Sequence, residues 1–344
     1  MQNELIESPV APLVTDVFTV TNSHGLRAKL TNWGAGLMEM HVPDRQGNLD
    51  DVTLGFDTVE EYFNAHPHFG VTTGRFANRI ARGEFRLDGL MHKLAANNGA
   101  NHLHGGPTGF HARFWKSESI MNGVRFTYTS ADGEEGFPGT LKVAVTYTLT
   151  DEDELRIDYE ATTDRPTVLN LTNHAYWNLA GASAGSILDH ELVLHARHFV
   201  PVDDAGIPTG SVAPVAGGPM DFTEAKTLRR DFDQLHGNPG GYDHCYVIDE
   251  ASEGALTLAA SAYESGSGRV LEILTTEPGI QLYTGNFLNG SVIGKGGHAY
   301  RKNEGFCLET QHFPDSPNHP GFPSTVLRPG QVFRSTTVHR FSVR

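Results

Sequence analysis

The chain has 344 residues, with 26 Lys or Arg against 41 Asp or Glu, so its formal net charge is -15 at pH 7. This charge repels the phosphate backbone of nucleic acids and anionic membrane surfaces, and no run of basic residues offsets it locally. The only cysteines are Cys245 and Cys307, which favours a reducing compartment. The N-terminal residues contain no apolar block of signal-peptide length. We therefore expect a soluble cytoplasmic protein that binds neither nucleic acid nor a membrane.

Alternation of apolar and polar residues dominates the chain and predicts β-strands. The clearest cases are residues 17–22, 124–130, 141–150, 154–163 and 332–343. Turn-forming residues separate further strands, as in "LDGL" between "GEFR" and "MHKL", and in "SGSG" between two later strands. The first four of these segments predict a meander.

Helix signals are few. Residues 57–64 predict a short helix capped by Asp57, and residues 232–235 predict a single turn. A parallel sheet needs long helical crossovers, which are missing here, so we predict an all-β, mainly antiparallel sandwich or barrel with very little helix. The Pro- and Gly-rich residues 206–220 have strand-like sequence on both sides. We interpret them as a loop within one domain that spans residues 1–344.

Several common functional motifs are either absent or lack the neighbouring structure that their function requires. "GASAG" has the spacing of a serine nucleophile elbow around Ser183, but the following "ILDHELVLHA" predicts a strand where that elbow requires a helix. No GxGxxG occurs, and the glycines of "GSVIGKGG" are one residue too close for a phosphate loop. The strings "HPH" and "HLH" place histidines on one side of an extended chain, but neither HExxH nor a cysteine cluster accompanies them. We expect no nucleotide cofactor and no metal.

Two polar segments occur where strands meet turns in the first third of the chain. Asn78 and Arg79 lie in "GRFANRIARGEF", where a structural salt bridge at the surface is an equally good explanation. His104 lies in "NNGANHLHGG", before Gly105 and Gly106, whose permissive backbone allows a close approach to another group. The alternative for His104 is a histidine that satisfies loop carbonyl groups.

A third segment, "TNHAYWNLAG", places His174 and Tyr176 on one side of an extended chain and Asn173 and Trp177 on the other. For a single histidine beside aromatic residues, a buried and hydrogen-bonded core position is the commoner explanation. The segment alone therefore leaves the role of His174 open.

Glu309 interrupts an apolar strand end in "GFCLETQHF". Buried carboxylates are rare unless paired or functional, and burial raises their pKa toward neutrality, which suits a general base. Asp243 stands at the start of a strand in "GGYDHCYVI", and Gln281 lies between apolar neighbours in "PGIQLYTGNF"; both could be ordinary turn residues. Together the six segments suit a small neutral polyol, because polar groups bind its hydroxyls and aromatic rings cover its apolar faces.

These segments resemble one family, the aldose 1-epimerases or galactose mutarotases. The matching strings occur in the family's order from about residue 30 onward, and the first 15 or so residues, which contribute nothing, are expected to be peripheral. Besides the strings quoted above, they include "DGEEGFPG", "PVDDAGIPTG", "SGSGRVLEILTTEPGIQLYTGNF" and "PDSPNHPGFPSTVLRPG". Trp177 and Phe333 depart from the residues expected there, Phe and Tyr, which bears on substrate preference and local packing.

The resemblance implies a galactose mutarotase-like β-supersandwich with an open sugar cleft and neither a metal nor an organic cofactor. Carried over by motif, Glu309 is the general base and His174 is the general acid. The substrate-binding positions that it implies are Asn78, Arg79, His104, Tyr176, Asp243 and Gln281. A monomer and a homodimer both fit the sequence.

The chemistry of anomer interconversion agrees with these residues. The C1 hydroxyl of a free hexose such as galactose or glucose must lose a proton while the ring oxygen gains one; C1 then rotates and the ring closes on its other face. Glu309 as a carboxylate accepts the first proton and His174 as an imidazolium supplies the second, with reversed roles on closure.

Two other classes of carbohydrate-binding protein would use some of the same residues. A glycosidase would employ Glu309 with Asp243 as two carboxylates flanking one bond, without a histidine near the anomeric carbon. A non-catalytic carbohydrate-binding domain would need the aromatic residues and Asp243, but neither Glu309 nor His174. A hexose 6-phosphate enzyme would carry more basic residues than Arg79 alone.

Overall fold

The computed structural model describes residues 14–64, 66–237, 240–252 and 254–344. The first fourteen strands are β1 (Val17–Thr21), β2 (Arg27–Thr31), β3 (Gly36–Pro43), β4 (Leu49–Asp51), β5 (Thr72–Thr73), β6 (Arg79–Ile80), β7 (Glu84–Leu87), β8 (Leu90–Lys93), β9 (His102–Leu103), β10 (Lys116–Ile120), β11 (Gly123–Ser130), β12 (Leu141–Leu149), β13 (Glu154–Thr163) and β14 (Thr167–Val168). The other fourteen are β15 (Thr172–Asn173), β16 (Glu191–Leu194), β17 (His198–Val200), β18 (Ala213–Pro214), β19 (Lys226–Thr227), β20 (Asp243–Val247), β21 (Thr257–Tyr263), β22 (Arg269–Thr275), β23 (Gly279–Tyr283), β24 (Asn289–Ile293), β25 (Ala299–Arg301), β26 (Cys307–Gln311), β27 (Val326–Leu327) and β28 (Phe333–Val343).

Helical structure in these described ranges is limited to 3₁₀ helices of three or four residues. They are Glu60–Phe63, Ala81–Gly83, Phe110–Ala112, Glu134–Gly136, Phe232–Gln234, Lys295–Gly297 and Ser316–Asn318. The prediction of an all-β chain with very little helix is confirmed. Nowhere in the described chain is there a helix with the length and apolarity needed to span a membrane.

The predicted cap of the first helix is wrong. This helix begins after Val59 and has no side-chain cap. The Asp57 carboxylate instead accepts a hydrogen bond from the backbone N–H of Gly296, at 2.9 Å. Asp57 therefore fixes a loop that is distant in sequence, a role that local sequence cannot reveal. The single turn predicted at residues 232–235 is present as Phe232–Gln234.

The largest sheet has nine antiparallel strands in the order β10-β11-β12-β13-β28-β22-β21-β16-β19. The predicted meander is only partly correct. Strands β11, β12 and β13 do follow one another in this sheet, but the first predicted segment, β1, pairs with β2 in a separate four-stranded sheet. Strand β28, at the C-terminal end of the chain, pairs with β13. Alternate residues of β12 and β13, including Val143, Val145 and Ile157, are buried in the main hydrophobic core. Strand β16, not a helix, follows the exposed turn at Ser183, so the context of a nucleophile elbow is missing there.

A second sheet has five strands in the order β18-β17-β20-β23-β26, and its β18 comes from the predicted loop 206–220. Leu282 of β23 and Leu308 of β26 belong to the same core as the nine-stranded sheet. Because side chains alternate along a strand, their neighbours Gln281 and Glu309 point to the opposite side. This alternation presents polar groups on the face of the sheet away from the core.

Short ladders bring distant loops to this polar face. Arg79 of β6 pairs with Leu103 of β9, which brings Arg79 close to His104. Thr172 and Asn173 of β15 pair with β5, and His174 follows directly after them. The five-stranded sheet and these two ladders together position the candidate site.

Candidate active site

A cleft of about 220 Å³ lies beside β20, β23 and β26. This volume is small compared with the roughly 300–1,000 Å³ of sites for drug-sized ligands. Seven of the eight predicted site residues line it, and only Gln281 does not. The complete lining is Pro67, His68, Asn78, Arg79, Asn98, Leu103, His104, His174, Tyr176, Asp243, Tyr283, Phe287 and Glu309.

Glu309 is a buried carboxylate at the cleft, with 3 % of its surface exposed. Its Oε2 atom has no hydrogen-bond partner among the described residues and lies 3.7 Å from Nε2 of His174. Burial and, to a smaller extent, the nearby Asp243 carboxylate raise the pKa of Glu309 to about 8, against the opposing effect of Arg79. An unpaired, buried carboxylate with such a pKa is suited to accepting and releasing a proton near neutral pH.

His174 is equally buried and is held from two sides. Its ring stacks on that of Tyr176, with centroids 5.1 Å apart, and its Nδ1 atom lies 3.6 Å from Sγ of Cys307. These contacts leave Nε2 as the nitrogen that meets Glu309. Burial lowers the pKa of His174 to about 4, with a smaller contribution from His111. Between pH 4 and pH 8 the two groups therefore share one proton, which in the free protein rests on Glu309.

A polar network extends from Asp243 along the cleft. Its Oδ1 accepts a hydrogen bond of 2.6 Å from Nε2 of Gln281, and its Oδ2 lies 3.8 Å from the guanidinium of Arg79. The Arg79 Nε in turn donates to Oδ1 of Asn98 at 3.1 Å. Gln281 stands directly opposite Glu309 in the β23–β26 register. It thus lies behind Asp243 and holds that carboxylate in place from the sheet.

His104 is fixed by the loop that carries Asn78. Its Nδ1 accepts a hydrogen bond of 3.1 Å from the backbone N–H of Asn78, so Nε2 carries the proton in the neutral ring. Both residues have positive φ angles, 50° for His104 and 63° for Asn78. The predicted close approach at Gly105 is confirmed, because a Cβ atom there would collide with the carbonyl group of Gly74. The result is an N–H donor at a fixed position on the cleft wall.

Three groups at the cleft are of the kinds that bind metal ions. Ligand atoms of His104, His174 and Glu309 lie within 4.8 Å of one another. However, the Nδ1 lone pair of His104 is occupied by the Asn78 N–H and its Nε2 bears the proton, so the neutral ring offers no free lone pair. The three groups as hydrogen-bonded here do not fit a metal site.

Sequence interpretation missed part of the cleft wall. In the sequence, His68 stands out only as one of the two histidines of "HPH". Asn98 lies in the same segment as His104, but no pattern there indicates a role for it. Tyr283 and Phe287 follow Gln281 and form the aromatic side, where Phe287 is 63 % exposed. Alternation along β23 does place Tyr283 on the side of Gln281, which was the available signal.

Asn173 and Trp177, which were predicted on the other side of this segment from His174 and Tyr176, do not line the cleft. The Asn173 side-chain amide donates to the carbonyl of Gly70 at 2.7 Å and to the hydroxyl of Tyr147 at 3.0 Å. Trp177 is fully buried in the main core. Both residues stabilise the segment that presents His174 and Tyr176 to the cleft.

The fold and the site define an all-β protein with a buried carboxylate and a buried imidazole 3.7 Å apart at a cleft of about 220 Å³. The chain matches the family model described as aldose 1-epimerase over residues 16–340. It is 48 % identical over 321 residues to a galactose mutarotase of Sus scrofa, covering 93 % of this chain and 92 % of that protein. It is 37 % identical over 333 residues to an aldose 1-epimerase of Escherichia coli K12, covering 94 % of each.

A solved structure gives the same result. The crystal structure of a GalM/aldose epimerase homologue from C. elegans superposes with a TM-score of 0.89 at 35 % identity, covering 96 % of this chain and 99 % of that one. The chain belongs to the aldose 1-epimerase family. It is an isomerase that acts on carbohydrate, and the predicted family and function are confirmed.

Proposed function

We propose that the chain interconverts the α and β anomers of free aldohexoses such as galactose and glucose, with Glu309 as general base and His174 as general acid. The observation that carries these roles is the 3.7 Å contact between their side chains, at a cleft that accommodates one sugar ring. The names of the pig and E. coli relatives, galactose mutarotase and aldose 1-epimerase, support the same reaction.

The sugar binds through its hydroxyl groups. Asp243 accepts hydrogen bonds, while Arg79, Asn78 and the Nε2–H of His104 donate them. Gln281 holds Asp243 from behind, so we assign it a positioning role. The aromatic rings of Tyr176 and Tyr283 cover apolar C–H faces of the sugar ring. Fixing the hydroxyls that do not react restricts the open-chain aldehyde to rotation about C1–C2.

Ring opening begins with one proton on the acid–base pair. When the C1 hydroxyl donates to Glu309 and the ring oxygen accepts from His174, both contacts favour the carboxylate and imidazolium forms. Glu309 then takes the C1 hydroxyl proton while His174 protonates the ring oxygen, and the C1–O5 bond breaks. Glu309 is now neutral and protonated, and His174 is a neutral imidazole.

This product state is the proton distribution that burial favours in the free protein. After the aldehyde turns, O5 attacks C1 from the other face. Neutral His174 accepts the O5 proton, and protonated Glu309 returns its proton to the carbonyl oxygen. The cycle restores the carboxylate and imidazolium without any other reactant.

The test is polarimetry on freshly dissolved α-D-galactose and α-D-glucose. The wild type should accelerate the approach to anomeric equilibrium. Glu309→Gln and His174→Asn should each lose at least about 100-fold in rate, because each lacks one proton-transfer group. Full activity of Glu309→Gln would refute its role as base, and an inactive wild type would refute the proposed reaction.

Location and assembly are part of the same proposal. We propose a cytoplasmic protein, monomeric or homodimeric, whose partner is a free monosaccharide and neither nucleic acid nor membrane. The two cysteines are buried free thiols, which supports a reducing compartment. Cell fractionation with detection of the native chain tests the location, and light scattering measures the assembly.

A further inference from the structure

His68 lines the cleft but has no role in the proposed reaction. Its ring centroid lies 4.9 Å from that of His104 and 5.7 Å from that of His174, onto which it stacks with an interplanar angle of 25°. Neither ring nitrogen of His68 has a hydrogen-bond partner within the described part of the chain, and the residue lines the cleft. Polar atoms of this kind, facing a ligand cleft, are available to a ligand.

His68 and Glu309 meet different parts of the His174 ring. Glu309 approaches its Nε2 atom at 3.7 Å, whereas His68 packs on its face with ring centroids 5.7 Å apart. The His68 ring also lies 4.5 Å from that of His111 and 4.9 Å from that of His104.

From these contacts we infer which part of a sugar His68 reaches. In the proposed reaction the C1 hydroxyl meets Glu309 and the ring oxygen meets His174. The ring atom beyond the oxygen, on the side away from C1, is C5. In an aldohexopyranose C5 carries the hydroxymethyl group, whereas in an aldopentopyranose it carries only hydrogen atoms.

We propose that His68 hydrogen-bonds the C6 hydroxyl of the bound sugar and thereby selects aldohexoses over aldopentoses and 6-deoxyhexoses. The inference rests on the proposed function, because it uses the orientation of the sugar that this function defines. A neutral imidazole offers one N–H donor and one acceptor nitrogen, and a hydroxyl group can satisfy either. A sugar that lacks this hydroxyl leaves the half-buried imidazole without that hydrogen bond, which disfavours its transition state.

The backbone adds a second argument. His68 has a φ angle of 63°, a left-handed conformation that is uncommon for residues other than glycine, although histidine adopts it more often than most. Such strain persists where the surroundings hold a side chain in a required position, and it clusters at ligand sites. In this conformation the ring packs against those of both His104 and His174.

The experiment compares sugars that differ only at C6. D-galactose, D-fucose and L-arabinose share the configuration of the ring hydroxyls, but D-fucose lacks the C6 hydroxyl and L-arabinose lacks C6. We expect wild-type kcat/KM by polarimetry to fall about 5- to 10-fold from D-galactose to each of the other two. Equal kcat/KM for D-galactose and D-fucose would overturn the proposal, and this comparison requires no variant.

The variant His68→Phe keeps an aromatic ring and removes both nitrogen atoms. It should lose about 5- to 10-fold on D-galactose and less than about twofold on D-fucose and L-arabinose, so the preference disappears. A matched control is His66→Asn, at a neighbouring histidine that does not line the cleft. Asn can replace the His66 Nδ1 acceptor for the Phe69 N–H, and the preference should persist.

The outcomes separate this inference from the proposed function. An equal loss on all three sugars would make His68 a packing residue and overturn the inference, while the epimerase reaction stands. No change on any sugar would overturn it as well. Wild-type protein inactive on every sugar would refute the proposed function itself.

Discussion

Glu309 and His174 meet through Oε2 and Nε2 at 3.7 Å, with side chains only 3 % and 6 % exposed. Burial favours the neutral form of each group, so the pKa of Glu309 rises to about 8 and that of His174 falls to about 4. Two groups that in water would both be charged between about pH 4.5 and pH 6.5 thus share one proton inside the protein, as a neutral pair. A base and an acid in mutually opposite protonation states are what anomer interconversion requires.

The first prediction is the pH dependence of kcat/KM. Below pH 4 both groups are protonated and Glu309 cannot accept a proton; above pH 8 both are deprotonated and His174 cannot donate one. We expect a plateau from about pH 4 to about pH 8, with an approximately tenfold decrease per pH unit on either side. The measurement is polarimetry corrected for spontaneous mutarotation. A kcat/KM that still rises at pH 9 would contradict the assignment.

The second prediction concerns stability. The folded-state pKa of Glu309, about 8, is above its unfolded value of about 4.5, so the folded protein binds this proton more tightly. That contribution is fully present below pH 4.5 and is lost as the pH rises to 8, by at most about 1.4 kcal/mol per pH unit. Glu309→Gln does not ionise, so it should be more stable than the wild type at pH 8.5, with a smaller difference at pH 5.

Urea unfolding followed by circular dichroism measures this difference. Glu118→Gln, at an exposed glutamate of β10, is the control and should show the same pH dependence as the wild type. If Glu309→Gln and the wild type lose stability in parallel from pH 5 to pH 8.5, the raised pKa is refuted.

The third prediction uses the two neighbours that act on the Glu309 pKa in opposite directions. Asp243 raises it and Arg79 lowers it. Asp243→Asn should therefore move the alkaline limb of the kcat/KM profile to lower pH, and Arg79→Gln should move it to higher pH. Both variants should also lose at least about tenfold in kcat/KM, because each removes a charged hydrogen-bonding partner of the sugar.

A control separates these shifts from a general charge effect. Arg125→Gln changes an exposed residue of β11 and should leave both the limb and kcat/KM unchanged. Shifts of the same sign in Asp243→Asn and Arg79→Gln would show that neither residue acts on Glu309 through its charge.

Sequence predicted the strands well where one face is buried, because alternation is then imposed by the core. The segment 154–163 coincides with β13, and Glu309 was found because a carboxylate stood among apolar residues. The positions of Asp57 and Gln281 depend on partners far away in sequence. Asp57 binds the backbone of Gly296, and Gln281 binds Asp243, so neither contact has a local signal. His68 was missed as a cleft residue because its neighbours His104 and His174 meet it only in the folded chain.

Arg75 also has contacts that the sequence does not predict, although it lies in a segment that the sequence identifies as part of the site. It lies four residues before Arg79 in "GRFANRI", but it is only 2 % exposed and does not reach the cleft. Its guanidinium donates hydrogen bonds of 2.7–3.0 Å to Oγ of Ser130 and to the carbonyl groups of Ser130, Ala131, Pro138 and Gly139. It thereby connects the 130–139 loop to the segment that carries Asn78 and Arg79.

The fourth prediction is that Arg75 is needed for stability while Arg79 is needed for activity. Arg75→Met leaves these buried acceptors unpaired and should reduce the free energy of unfolding by about 3–5 kcal/mol, measured by urea denaturation. Arg79→Gln, on the open cleft, should change it by less than about 1 kcal/mol but lower kcat/KM. Arg75→Met assayed well below its unfolding temperature should keep a larger share of wild-type kcat/KM than Arg79→Gln does. A loss of under 1 kcal/mol for Arg75→Met would show that the loop is held by other contacts.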